Sequence, residues 1–191
     1  MADDPATPAA TDAATPPAVL RAAFDRLHGR RLHGFSLLLT LGNRALAGRL
    51  TAEALAAGAA RSEELRHPER AAAWLRARVV AAMPRRHHAP SPEEERAALD
   101  PLGADPAVVD GLADLGVRQR AAIITADIER LDPRDVETVV GRRGAGLERL
   151  LVGARGRYVV AYAAVPLASR RDPDAGPLVR RIRAVAARTL T

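Results

Sequence analysis

Apolar residues recur at helical spacing along most of the chain, in two separate stretches. In the first stretch, residues 18–86, the positions that carry the pattern lie three or four apart within each run: Leu20, Phe24, Leu27, and then Leu46, Leu50 and Ala54. Gly42-Asn43 interrupts this pattern, Pro68 starts a further amphipathic run, and Pro84 ends it. The stretch is therefore predicted to form a bundle of three or four helices.

The second stretch, residues 107–164, combines further apolar faces with a sharper local pattern. Asp132 can cap a helix that has Pro133 at its first position, and Gly141 supplies the stop. A tight turn then leads into another helix, whose inward positions are Leu147, Leu150, Leu151 and Ala154. This spacing predicts a helix-turn-helix, in which the second helix can enter a DNA major groove.

Three further segments lie outside the two stretches. Residues 1–17 are rich in Pro, Ala, Thr and Asp, and such a composition predicts a disordered tail. Four prolines and a change from basic to acidic charge predict that residues 87–106 form an exposed linker. Residues 165–191 are predicted to form a basic helical tail, which either packs on the second unit or presents its arginines.

Composition narrows the class of protein. Aromatic residues make up only 3% of the 191 residues and alanine dominates the apolar ones, so an all-α fold with small-residue helix packing is expected. No cysteine is present, which excludes disulfides and thiolate metal sites. No apolar run long enough to span a membrane and no secretory signal is found, so a cytoplasmic location without membrane contact is expected.

The net charge of +6 is carried by arginine alone, because lysine does not occur in the sequence. Arginine suits phosphate and guanine recognition. A lysine-free chain rich in Ala, Arg, Gly and Pro also indicates codon choice in a GC-rich bacterial genome. The charge is therefore compatible with nucleic-acid binding without requiring it.

No candidate catalytic, cofactor or metal site emerges from the sequence. His87-His88 lies in the predicted linker without ligand partners at metal-binding spacing, so no metal is expected. Gly141, Gly144 and Gly146 follow a helix rather than a strand and precede no Lys-Ser/Thr, which argues against a phosphate loop. Paired carboxylates and nucleophile sets are also missing, so the chain is not expected to be an enzyme.

Residues of both stretches, in the right order, resemble the extracytoplasmic-function family of RNA polymerase sigma factors. The matching positions in the first stretch are Phe24, Leu27, Leu32, Gly42, Asn43, Arg44, Ala47, Leu50, Glu53, Leu55, Ala73, Trp74 and Leu75. Those in the second are Leu115, Gln119, Arg120, Ile123, Ile124, Gly141, Ala154 and Arg155. The resemblance covers roughly residues 20–158, most of the chain.

The resemblance implies a function and contact residues. Residues 18–86 would bind the polymerase core and help to open promoter DNA, and residues 107–164 would bind the promoter. Leu50 and Glu53 would contact polymerase. The positions implied in promoter melting are Trp74, Arg76, Arg78, Arg85 and Arg86, and those implied in DNA binding are Arg142, Arg143, Arg149, Arg155 and Arg157. The partners expected are core RNA polymerase and promoter DNA, with an anti-sigma factor as a further candidate.

A second hypothesis stays open because several contact positions depart from the family pattern. Arg49 and Ala52 replace an acidic residue and a glutamine, and Glu148 replaces a lysine. These changes favour a diverged sigma-like module that binds a sigma or anti-sigma partner without recognising a promoter. Glu137 stands where a small residue usually allows the two helices to cross, so either the crossing is looser or an arginine pairs with Glu137.

Overall fold

The computed structural model describes residues 17–65, 67–85, 90–102 and 105–165, and these residues form helices joined by short turns, without a strand. The helices are α1 (Pro17–Phe24), α2 (Arg30–Leu39), α3 (Arg44–Ala59), α4 (Pro68–Ala82), α5 (Pro92–Leu99), α6 (Pro106–Ala113), α7 (Val117–Ile123), α8 (Pro133–Val140) and α9 (Ala145–Ala164). Two π-helical turns, Asp25–Gly29 and Ile124–Ile128, follow α1 and α7, and a 3₁₀ turn, Asp100–Leu102, follows α5. The all-α class is confirmed.

Local sequence signals account for most helix ends. At the break between α2 and α3, Gly42 adopts a left-handed conformation with φ of 79°, and the Asn43 side chain accepts a hydrogen bond from the Leu46 amide at 2.9 Å. A Cβ at Gly42 would lie 2.9 Å from the Glu95 backbone, so only glycine fits this turn. Pro68 opens α4, which ends at Ala82 before Pro84, as predicted.

The main apolar core draws on both stretches of the sequence. Phe35, Leu50 and Leu75 from the first stretch belong to the same buried cluster as Leu112 and Ile123 from the second. Helix α4 packs against α8, α3 packs against α2 and α4, and α9 packs against α6 and α7. The two predicted units are thus in direct contact in the structure, and their boundaries stay a prediction.

The segment predicted as an exposed linker contains helix α5. Ser91 and Glu94 form a reciprocal capping box at its start, where the Ser91 amide donates to the Glu94 carboxylate at 2.8 Å. At its end, Ala98 and Leu99 are buried in a small cluster with Leu37, Ala47 and Val109. The expected exposure is therefore corrected at Ala98 and Leu99, because the apolar end of the acidic helix packs in a cluster with residues of α2, α3 and α6.

Several predictions concern residues outside the described ranges. These are the disordered tail, except for Pro17 at the start of α1, the basic tail after Val165, Arg86, and the pair His87-His88. Among the described helices, none is long and apolar enough to cross a membrane.

The π-helical turn after α1 places a histidine in the interior. His28 is only 8% exposed, and its ring centre lies 5.6 Å from that of Phe24. Burial, and secondly the positive charge of Arg76, hold the pKa of His28 below its ordinary value of 6.5. Folding therefore favours the neutral form of the His28 imidazole over the charged one.

We expect acid to destabilise the protein through His28. Because its folded pKa lies below the unfolded one, the favourable contribution is complete above pH 6.5 and is lost as the pH falls through 6.5 towards the folded pKa. The free energy of unfolding, measured in urea from pH 8 to pH 5.5, should decrease less for His28→Gln than for the unmodified protein. Identical pH profiles for the two proteins would exclude this role of His28.

Candidate nucleic-acid interface

Helix α8, the following turn and helix α9 form the predicted helix-turn-helix. The Asp132 side chain caps α8 by accepting a hydrogen bond from the Arg134 amide at 2.9 Å, with Pro133 in the first turn. Gly141 ends the helix in a left-handed conformation with φ of 68°. The capping residues predicted for this helix are confirmed.

The turn between α8 and α9 is fixed by Glu137. Its carboxylate Oε1 accepts a hydrogen bond from the Gly144 amide at 2.8 Å. This bond is neither the looser crossing nor the arginine pair predicted for Glu137, because the sequence does not show that a backbone amide of the turn comes within reach of the α8 side chain. The Glu137 carboxylate is half-buried. Because its partner, Gly144, is the residue just before α9, the bond fixes where α9 begins.

A small apolar cluster anchors the inner face of α9 on its neighbours. It combines Ala122 of α7 with Val136 and Val140 of α8 and Leu147 of α9, and Leu150 and Leu151 pack against its edge. The opposite face of the first turns of α9 is exposed, at Ala145, Glu148, Arg149 and Val152. Because this cluster holds the inner face of α9, the outer face is exposed to solvent in a fixed orientation.

Four of the five arginines expected to contact DNA are exposed on the helix-turn-helix. Arg142 and Arg143 occupy the turn, Arg149 lies on the outer face of α9, and Arg157 lies two turns further along. No acidic side chain of the described residues pairs with any of these four. They are therefore available for contacts with phosphate.

The fifth arginine, Arg155, has a different role. Its guanidinium binds the Asp127 carboxylate through two contacts of 2.9 and 3.1 Å, and the two side chains are 15% and 6% exposed. This buried pair ties α9 to the π-helical turn before α8. The sequence did not predict this internal role of Arg155, and the pair engages the Nε and one terminal nitrogen of its guanidinium, so Arg155 is less suited to contact DNA than the four exposed arginines.

The two residues expected to contact polymerase do not share a surface in the structure. Leu50 is 2% exposed and belongs to the main core, so it offers no surface to a partner. Glu53 is exposed on α3, where its carboxylate lies 3.9 Å from Arg49. Beside it an open groove of about 420 Å³ runs between α1 and α3, lined by Ala18, Arg21, Ala22, Asp25, Ala52 and Leu55.

The residues expected to melt promoter DNA do not form one surface either. Trp74 is half-buried, and the guanidinium groups of Arg61 and Arg78 lie over its ring at 5.4 and 5.8 Å. Arg76 is buried and paired with Glu129 at 2.7 Å, an internal contact that the sequence did not predict. Arg85 is exposed beyond the end of α4.

Arg61 was not identified from the sequence. It lies 13 positions before Trp74 in the segment between α3 and α4, and no periodic pattern links the two residues.

Two further electrostatic features of the described residues are acidic side chains with raised pKa values, Glu95 and Asp135. Within the ranges that the structure describes, no group of three or more His, Asp or Glu side chains could hold a metal ion. Burial, and secondly Asp110, raise the pKa of Glu95. Burial, followed by Asp132 and Glu69, raises the pKa of Asp135. Asp135 is therefore less readily ionised than an isolated aspartate.

No protein-family model, curated protein or solved structure matches this chain.

Proposed function

We propose that this protein is a cytoplasmic, sigma-factor-like transcription regulator that binds double-stranded promoter DNA through the turn after α8 and the outer face of α9. The observation that carries the proposal is the set of four exposed arginines, Arg142, Arg143, Arg149 and Arg157, on a helix-turn-helix whose inner face is anchored in an apolar cluster. Phosphate contacts by such side chains supply most of the affinity of helix-turn-helix proteins for duplex DNA.

The geometry of α9 supports this role. The helix has 20 residues, which corresponds to a length of about 30 Å. Its first turns expose small or short side chains, Ala145 and Val152, between the charged ones. An α-helix with such a slender outer face fits a major groove about 12 Å wide.

A contact with core RNA polymerase belongs to the same proposal. The groove between α1 and α3 lies beside Glu53 and has Arg21 and Asp25 among its lining residues. A shallow groove with an apolar floor and charged rim can accept a helix of a partner protein.

A second candidate function is a protein-interaction module without promoter recognition. The packing of α4 on α8 favours it, together with the buried pair between Arg76 and Glu129. These contacts cover one side of the helix that would have to meet melted promoter DNA. In this case the partner would be a sigma or an anti-sigma protein.

Replacing both turn arginines tests the proposed function. We expect Arg142→Ala/Arg143→Ala to weaken binding to duplex DNA, because two phosphate contacts are lost. In a gel-retardation assay at several salt concentrations, the slope of log K against log salt should become shallower by about 2. The matched control is Arg30→Ala/Arg31→Ala, an adjacent exposed pair on α2, which should bind like the unmodified protein.

Two outcomes would count against the proposal. If the unmodified protein retards no DNA at low salt, the interaction module becomes the better explanation. If both double variants lose affinity equally, the binding is a general effect of net charge and does not involve the helix-turn-helix.

A further inference from the structure

The exposed face at the start of α9 has a mixed chemical character. Glu148, Arg149 and Val152 lie three, four and seven positions after Ala145, so the four residues share one face of the helix, and all are exposed. One is an acceptor, one is a donor and two are small and apolar. A face that bound only phosphate would be basic throughout, whereas base edges offer donors, acceptors and methyl groups together.

Arg149 is oriented by its own helix. Its Nε donates a hydrogen bond to the Ala145 carbonyl oxygen, one turn earlier, at 3.2 Å. This bond leaves the two terminal nitrogens of the guanidinium for an external partner, and none of the described residues occupies them. Two parallel donors of this kind match O6 and N7 of guanine, the commonest specific contact in the major groove.

Glu148 is the residue that a phosphate-binding face does not explain. Its carboxylate is exposed and accepts no hydrogen bond within the described part of the chain. Near a DNA backbone it would be repelled by phosphate, so it can be accommodated only where the duplex offers a donor. In the major groove those donors are the amino groups of cytosine and adenine, and a G·C pair places one beside the two acceptors of guanine.

We propose that Glu148 and Arg149 together read G·C base pairs in the major groove, with Arg149 donating to guanine and Glu148 accepting from the cytosine amino group. This inference rests on the proposed function and adds the sequence preference of the same site. An A·T pair is disfavoured when thymine O4 faces the Glu148 carboxylate, since two acceptors then meet.

Selection from a library of random 20-base-pair duplexes tests the pair. The unmodified protein, Glu148→Gln and Arg149→Lys are each incubated with the library, and the bound DNA is sequenced. We expect the unmodified protein to enrich G·C over A·T by about 10- to 100-fold at one position or more. Glu148→Gln should shift the preference towards adenine, because an amide pairs with adenine N6 and N7.

Arg149→Lys distinguishes base reading from charge. Lysine keeps the positive charge but loses the fork, so total binding and its salt dependence should change little while the guanine preference falls. Both substituted residues lie on the exposed face, and circular dichroism checks that each variant is folded.

The inference is overturned if the unmodified protein binds the library without enriching G·C, or if Glu148→Gln selects the same sequences as the unmodified protein. In both cases DNA binding itself, and with it the proposed function, still stands. Absence of any bound DNA with the unmodified protein removes both.

Discussion

Replacement of Arg120 by leucine is expected to lower the free energy of unfolding by about 3 kcal/mol or more. The side chain is 5% exposed, and its guanidinium donates to the carbonyl oxygens of Leu39 at 2.6 Å and of Leu112 and Leu115 at 3.0 Å. The Leu112 carbonyl keeps a second donor, the Leu115 amide at 3.1 Å, whereas the Leu39 and Leu115 carbonyls lose the guanidinium. A buried carbonyl left without a donor costs about 1–3 kcal/mol. Such a loss is a large part of the 5–15 kcal/mol typical of a domain.

Arg120 stabilises two helix ends at once. Leu39 ends α2, and Leu112 lies in the last turn of α6, so one cation meets the negative ends of two helix dipoles. Burial lowers the pKa of Arg120 to about 10, which leaves the guanidinium charged at neutral pH. The favourable dipoles and hydrogen bonds offset the desolvation of this charge.

Urea unfolding followed by circular dichroism measures the effect. Arg120→Lys keeps the charge but can reach fewer carbonyls, so an intermediate loss is expected, and it provides a value even if the leucine variant does not fold. The exposed neighbour Arg118 supplies the control, since Arg118→Leu should change stability by no more than about 0.5 kcal/mol. Equal stabilities of all variants would mean that the carbonyls find other donors.

Helix ends could be predicted from the sequence because their causes are local. Asn43, Asp132 and Gly141 act on backbone groups within a few residues, and each stands in the structure where its chemistry requires. The apolar periodicity likewise gave the inner face of α9 correctly. Fold class and the helix-turn-helix elements therefore follow from short-range rules.

The roles of buried arginines could not be predicted from the sequence. Arg76, Arg120 and Arg155 have partners 53, 81 and 28 positions away, and no periodic pattern records such distances. In a chain where every cation is arginine, residue type alone does not distinguish a buried fork from a phosphate contact. Arg76 and Arg155 were for this reason assigned to DNA, whereas the exposed Arg142 and Arg143 agree with their predicted availability.

Breaking the pair between Arg76 and Glu129 is expected to cost about 3 kcal/mol. The two side chains meet through two contacts of 2.7 Å with exposures of 5% and 18%, and Arg76 also lies over the Phe35 ring at 5.7 Å. Glu129→Gln leaves the guanidinium without its counter-charge in the interior. Arg76→Met leaves a partly buried carboxylate instead.

Removing both partners should cost less than the two single changes together. In Arg76→Met/Glu129→Met no buried charge remains, and apolar replacements of a buried pair are often close to neutral. A double-mutant cycle on the free energy of unfolding, built from Arg76→Met, Glu129→Met and the double variant, gives the coupling directly. The surface pair Arg49 and Glu53, at 3.9 Å and more than half exposed, is the control, with a coupling of about 0–1 kcal/mol.

The cycle also measures how firmly the two predicted units are joined. Arg76 belongs to α4 in the first unit, and Glu129 precedes α8 in the second, beside the surface where these helices pack. Because the two units share one core, the unmodified protein should unfold in a single transition. Tryptophan fluorescence, which reports on Trp74 in the first unit, and circular dichroism should then give the same unfolding curve. If the two signals already separate in the unmodified protein, the core does not couple the units, and the pair contributes only local stability. If they coincide there and separate only in Arg76→Met, this ion pair is what makes α4 and α8 unfold together.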